Sequence, residues 1–174
     1  TLRMNRQREH GPLVVLAFDA GDAGLIEQWA DEGRLPTIKG LIDGGVQCRL
    51  TGPELVSENG IWVSLFSGLS RAQHGYYYWR PLKPGTYELE LSNQRVDSAV
   101  PFWGHLRHTA MRVAVVDVPE THCTAGVPGV QVANWAPHNA RFAGYSVPAS
   151  LFADLKTRFG APLGVEEQVG STCD

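Results

Sequence analysis

Pro12-Leu-Val-Val-Leu-Ala-Phe18, running into Asp19-Ala-Gly-Asp22, is the stretch whose reading decides the fold. A continuous apolar run bounded by turn formers reads as a strand covered on both faces, the pattern of a parallel sheet. Helical periodicity follows the turn. Leu25, Ile26, Trp29 and Ala30 share one face, and Gly33 is placed to stop the helix. Leu35-Pro36 then opens a second short helix through Ile38, Leu41 and Ile42, closed by Gly44-Gly45, and Val46 to Leu50 reads as a short strand.

Beyond a loop from Thr51 to Glu58, the spacing predicts a helix carrying Ile61, Trp62, Leu65 and Phe66 and ended by Gly68. Leu69 to Gly85 is rich in turn residues and aromatics, including Tyr76-Tyr-Tyr-Trp79. Tyr87 to Leu91 alternates as a half-exposed strand, and Val100 to His108 reads as a helix with Pro101 in its first turn. Met111 to Val118 is expected as a buried strand, Val130 to Asn134 as a shorter one, and Ala149 to Phe159 as an amphipathic helix. Strands and helices alternating with short connections predict an α/β sandwich around a mostly parallel sheet.

Composition narrows the function classes. The chain has 174 residues, 43% hydrophobic and 19% charged, which suits one domain with a sizeable core. A net charge of -3 gives no electrostatic footprint for nucleic acid or an anionic membrane surface. The longest apolar run, Leu13 to Phe18, is strand-sized, and Thr1 to His10 lacks the apolar core of a secretory signal. Cys48, Cys123 and Cys173 are widely spaced and odd in number, which fits a reducing compartment, so a cytoplasmic location is expected.

Three groups of residues carry candidate chemistry. Asp19 stands at the carboxyl end of the first expected strand, where open α/β sheets gather ligands, and its carboxylate could bind a metal or simply cap the turn. A Rossmann site would use the same strand, loop and helix, but Asp19-Ala-Gly-Asp-Ala-Gly24 lacks the glycine spacing for pyrophosphate. Ser57, Glu58 and Asn59 lead into the helix of Trp62, where the dipole and free amides favour phosphate. Ser57 there could act as a nucleophile, or Ser57 or Asn59 as a helix cap. His105 and His108 lie three apart, and His122-Cys123 follow Asp117-Val-Pro-Glu120 at another strand end; neither set makes a metal site alone.

In order, these segments resemble the type I phosphodiesterase/nucleotide pyrophosphatase family of the alkaline phosphatase superfamily. The matching stretches are Val14 to Ala20, Leu25 to Gly45 with its Gly33-Arg-Leu-Pro36, Trp62 to Gly75 with Ser67-Gly68 and His74-Gly75, Arg112 to Pro119, and Gly129 to Trp135 with His138. The resemblance implies an alkaline phosphatase-like three-layer sandwich. It also implies that residues 12–174 are the N-terminal part of a catalytic domain cut short of its C-terminal half, after a polar leader over residues 1–11. Two divalent metals, usually zinc, would be held in part by Asp19. A hydroxyl bridging them would attack a small phosphoester or nucleotide-like substrate. Counting back from Ser67-Gly68 places the nucleophile at Glu58, with Ser57 one residue off register. Asn59 lies near where relatives place an asparagine on the phosphoryl oxygens. His74-Gly75 is a structural turn in the family. The other ligands, among them an Asp-His pair, come from the family's C-terminal half, and no Asp-His-Gly element stands here.

The expected function is therefore a metal-dependent phosphoester or phosphodiester hydrolase scaffold, incomplete in this chain. The alternatives are a non-catalytic binding domain of the same fold and a nucleotide-binding α/β domain without hydrolysis.

Overall fold

Local capping signals define the first two helices, α1 (Ala23–Asp31) and α2 (Pro36–Gly44). They belong to a computed structural model that describes residues 11–50, 59–78, 80–90, 99–136 and 143–161. The chain divides into two units, Thr1–Thr51 and Gly52–Asp174.

In the first unit, the Asp22 carboxylate accepts from the Leu25 N–H at 2.8 Å, meeting one of the orphan amides of the α1 N-terminus. Gly33, at φ +76°, lets the chain leave α1 in a left-handed turn, and Pro36 opens α2 where its missing N–H costs nothing. Asp43 and Asp31 both hold the exposed Lys39 ammonium, at 2.8 and 3.1 Å, and raise its pKa. The Arg34 guanidinium lies 4.5 Å from the centre of the Trp29 ring. Burial here is slight: Ala30 is the buried residue of α1, and α2 has none.

Two strand expectations fail in this unit. Residues 11–18 form no ladder, and Leu13, Val14, Val15, Leu16 and Phe18 are 64% to 86% exposed. Val46 to Leu50 is likewise irregular and exposed. An apolar run supplies the side chains of a strand, but paired backbone amides make it one, and neither segment has a ladder partner among the described residues.

The second unit carries the core. α3 (Asn59–Ser67) buries Val63 and Phe66, three residues apart on one face, while Ile61 and Leu65 stay exposed. A four-residue helix, α4 (Arg71–His74), follows, then a 3-10 helix (Phe102–Leu106) with Pro101 at its N-cap. Val63, Phe66, Tyr76, Ala99 and Trp103 form the cluster, with the Phe66 and Trp103 rings 5.8 Å apart. Burying a side chain of the size of Phe66 contributes about 1.5–3 kcal/mol.

Strands β1 (Val113–Val116), β2 (Gly129–Ala133) and β3 (Tyr145–Val147) form one sheet in the order β1-β2-β3. β1 runs parallel to β2 with Val113 opposite Gly129, and β3 is antiparallel to β2 with Val147 opposite Gln131. The protein is thus mixed α/β, with a small mixed sheet where a mostly parallel one was expected. β1 is shorter than Met111–Val118 and alternates half-buried with exposed residues, as suits a strand paired on one edge. The expected strand at Tyr87 is a single bridge, Leu82 with Leu89, and Tyr87 itself is 98% exposed. Helix α5 (Ser150–Phe159) closes the described chain and contacts β3. Among the described residues no helix is long and apolar enough to cross a membrane.

Candidate functional site

Asp19 and Asp22 share one turn but have different tasks. Asp22 caps α1, while the Asp19 Oδ1 accepts only the N–H of the next residue, Ala20, at 3.1 Å. Ala20 sits at φ +52°, so the chain reverses sharply and leaves the Asp19 carboxylate exposed. Helix capping thus does not occupy Asp19. Asn59 is the first residue of α3, whereas Ser57 and Glu58 lie outside the described residues, as does His138. Asp19 belongs to the first unit and Asn59 to the second.

The structure also brings together a serine and a histidine that sequence reading did not pair. The Ser64 hydroxyl lies 3.0 Å from Nε2 of His74, which is buried. This resembles a nucleophile and its base, but the second ring nitrogen decides against it. His74 Nδ1 accepts the Tyr76 backbone N–H at 3.0 Å, and an N–H can only donate. Nδ1 is therefore unprotonated and the ring hydrogen sits on Nε2, pointing at the Ser64 oxygen. A nitrogen already carrying a proton cannot take one from serine. The pair fastens α3 to the turn after α4, where Gly75 at φ +70° donates its N–H to the Arg71 carbonyl at 2.8 Å. His74 and Gly75 close α4 in a left-handed turn.

The carboxyl ends of the parallel strands are more elaborate. Asp117, directly after β1, and Asn134, directly after β2, both have left-handed backbones, φ +54° and +53°. Both Asp117 oxygens are used: Oδ1 accepts the Trp135 N–H at 2.7 Å and Oδ2 the Ala136 N–H at 3.0 Å. This carboxylate ties the end of β2 to the end of β1, so its task in the described fold is to hold the turn.

Three residues on, Glu120 is also left-handed, φ +56°, and starts a loop held from three sides. The buried Thr121 hydroxyl donates to the Val118 carbonyl at 2.6 Å. Gln131 of β2, 2% exposed, pairs its amide with the Thr124 backbone: Oε1 accepts the N–H and Nε2 donates to the carbonyl, both at 2.8 Å. The Tyr145 hydroxyl accepts the Cys123 N–H at 3.0 Å and stands 3.2 Å from His122 Nδ1. Burial pushes the half-buried Cys123 thiol above its ordinary pKa, against a smaller pull from Tyr145 in the other direction. A raised pKa keeps Cys123 protonated at neutral pH, so it is a poor thiolate nucleophile. At about pH 8, iodoacetamide should label the exposed Cys48 about tenfold faster than Cys123, with the Cys123 rate still climbing at higher pH. Site-resolved mass spectrometry measures this, and equal rates would contradict a buried, protonated thiol.

His105 and His108 are exposed, on and just after the 3-10 helix. Among the described residues no three His, Cys, Asp or Glu side chains stand together in a way that could hold a metal ion. Sequence reading placed interest at the 117–123 strand end but missed Gln131 and Tyr145, which shape it. A polar residue amid the apolar positions of β2 was the available signal for Gln131; Tyr145 had none, because β3 is only three residues long. No family model, no curated protein and no solved structure matches the chain.

Proposed function

We propose that this chain is part of a metal-dependent phosphoester or phosphodiester hydrolase scaffold built on an alkaline phosphatase-like sandwich. The carrying observation is the ordered series of motifs, together with the elements on which they fall. Gly33-Arg-Leu-Pro36 separates α1 from α2, Trp62 lies on α3 just before Ser67-Gly68, and His74-Gly75 ends α4. Arg112 to Pro119 contains β1, and Gly129 to Trp135 contains β2, its parallel neighbour. Asp19 supports the reading with an exposed carboxylate not engaged in capping α1.

The described residues alone do not fit a two-zinc centre. One carboxylate cannot satisfy two four-coordinate ions, and no donor triad accompanies it among them. In this reading Asp19 is one donor among several, Ser57 supplies the attacking hydroxyl, Asn59 contacts the phosphoryl oxygens, and the substrate is a small phosphoester or nucleotide-like molecule. A second reading, a non-catalytic domain of the same fold, is favoured by one observation: Glu58 occupies the position counted back from Ser67-Gly68.

The test is turnover of bis-p-nitrophenyl phosphate and p-nitrophenyl phosphate by the full-length protein with added zinc or manganese. Metal-dependent turnover is expected, falling about 100-fold or more in Asp19→Asn, because a metal ligand is lost. Absence of turnover with every metal would favour the non-catalytic reading; full activity in Asp19→Asn would remove Asp19 from the centre.

A further inference from the structure

A cleft of about 180 Å³ is lined by Phe66, by residues on either side of the 3-10 helix and by the loop after β1. At roughly 30 Å³ per water molecule it holds about six waters, enough for a compact organic group. Its lining is mixed in chemistry. Phe66, Val100 and Pro101 give it an apolar part, while Arg107, Thr121, His122 and Cys123 give it a polar one.

The polar part is built in advance of any ligand. Gln131 and Tyr145 reach from neighbouring strands to hold Thr124 and Cys123, and the loop starts at a non-glycine residue in the left-handed region. That conformation is strained for a residue with a side chain and persists only where the surroundings enforce it. The cation is oriented as well. Arg107 Nε donates to the Gly104 carbonyl at 3.2 Å, and its guanidinium makes no ion pair among the described residues. A guanidinium fork in a cleft with an apolar part matches a carboxylate or phosphate carried on a small aromatic or branched group. Glu120 lines the same cleft and has a bonding partner of its own, so its charge works against an anion and selects nothing in favour of one.

We propose that this cleft is a binding site for a compact organic anion, with Arg107 taking the oxyanion and Phe66, Val100 and Pro101 taking the apolar part. The site is distinct from the proposed nucleophile position. Phe66 is seven residues along α3 from Asn59, about 10 Å of helix axis.

Titrating the isotope-labelled protein with benzoate and with phenyl phosphate, followed by amide shifts, tests the assignment without requiring turnover. Saturable shifts are expected at Thr121 to Thr124, with inorganic phosphate binding more weakly because it leaves the apolar part uncovered. Arg107→Gln should weaken both organic ligands about tenfold, the loss of one charge-assisted contact. Glu120→Gln should bind at least as tightly as the parent, and Ser57→Ala should bind the same, which separates this site from the hydrolase reading. A preference for benzoate or for phenyl phosphate tells a carboxylate ligand from a phosphate one. The proposal falls if the 121–124 amides do not saturate, if Arg107→Gln keeps full affinity, or if inorganic phosphate binds as tightly as phenyl phosphate.

Discussion

Gly129→Ala should cost the second unit about 3 kcal/mol or more, enough to shift its urea midpoint severely or leave it unfolded. Gly129 opens β2 at φ +123°, a conformation L side chains rarely adopt. A methyl group there would also overlap the Val113 carbonyl oxygen and approach the Val113 nitrogen to 2.8 Å. Both atoms are backbone, and Val113 is the ladder partner of Gly129, so no side chain can swing aside. Relief requires the parallel pair to part at its first rung, and β1 has β2 as its sheet neighbour. Gly126→Ala is the control. Gly126 is also left-handed, at φ +74°, but nothing lies within 4 Å of an added methyl, so only the conformational cost of about 1 kcal/mol applies. Urea unfolding followed by tryptophan fluorescence measures the pair. Equal, small losses would mean that the β1–β2 contact at Val113 is not as close as described.

The contrast between those two glycines shows what sequence can carry. Both are equally visible as letters, and only the partner strand makes one of them critical. Signals complete within a turn or two are legible: Gly33 after α1, Pro36 and Gly44 around α2, Gly68 after α3. The Asp22 cap of α1 and the cap of α4 are equally local, though neither is assigned from the sequence alone. Ser70-Arg-Ala-Gln73 has capping-box spacing, and Gln73 Oε1 accepts from both the Ser70 N–H and its hydroxyl at 2.9 Å. What failed among the described residues were the strands expected over 12–18, 46–50 and 87–90, because a strand is defined by a partner that can lie far along the chain. The candidate site divides the same way. Asp19 was found because a turn follows an apolar run, and the structure keeps the turn without the strand. The left-handed backbones at Asp117, Glu120 and Asn134 carry no glycine to announce them, so the shape of the cleft loop could not be read.

Ser57→Ala should abolish phosphoester turnover, by about 10³-fold or more, while Glu58→Ala leaves the greater part of it. The two side chains differ in what they can do at phosphorus. In the proposed hydrolase reading the Ser57 hydroxyl would give its proton to solvent and its oxygen would form a bond to phosphorus, while the bond to the leaving-group oxygen breaks with that oxygen taking the electron pair. Water would then attack the phosphoserine and return the hydroxyl with inorganic or monoester phosphate. A carboxylate at position 58 could attack as well, but it would give an acyl phosphate, which hydroxylamine cleaves and a phosphoserine resists. The two registers therefore leave different covalent traces. Acid-quenched protein incubated with radiolabelled substrate should retain label that survives hydroxylamine and maps to the peptide containing Ser57. Label lost to hydroxylamine, with turnover abolished by Glu58→Ala and spared by Ser57→Ala, would move the nucleophile to Glu58. No label and no turnover in the parent would leave the non-catalytic reading, with the scaffold retained and its chemistry gone. Such a result would leave the Arg107 cleft untouched, since anion binding there requires no turnover and rests on Arg107 and the loop from Thr121 to Thr124.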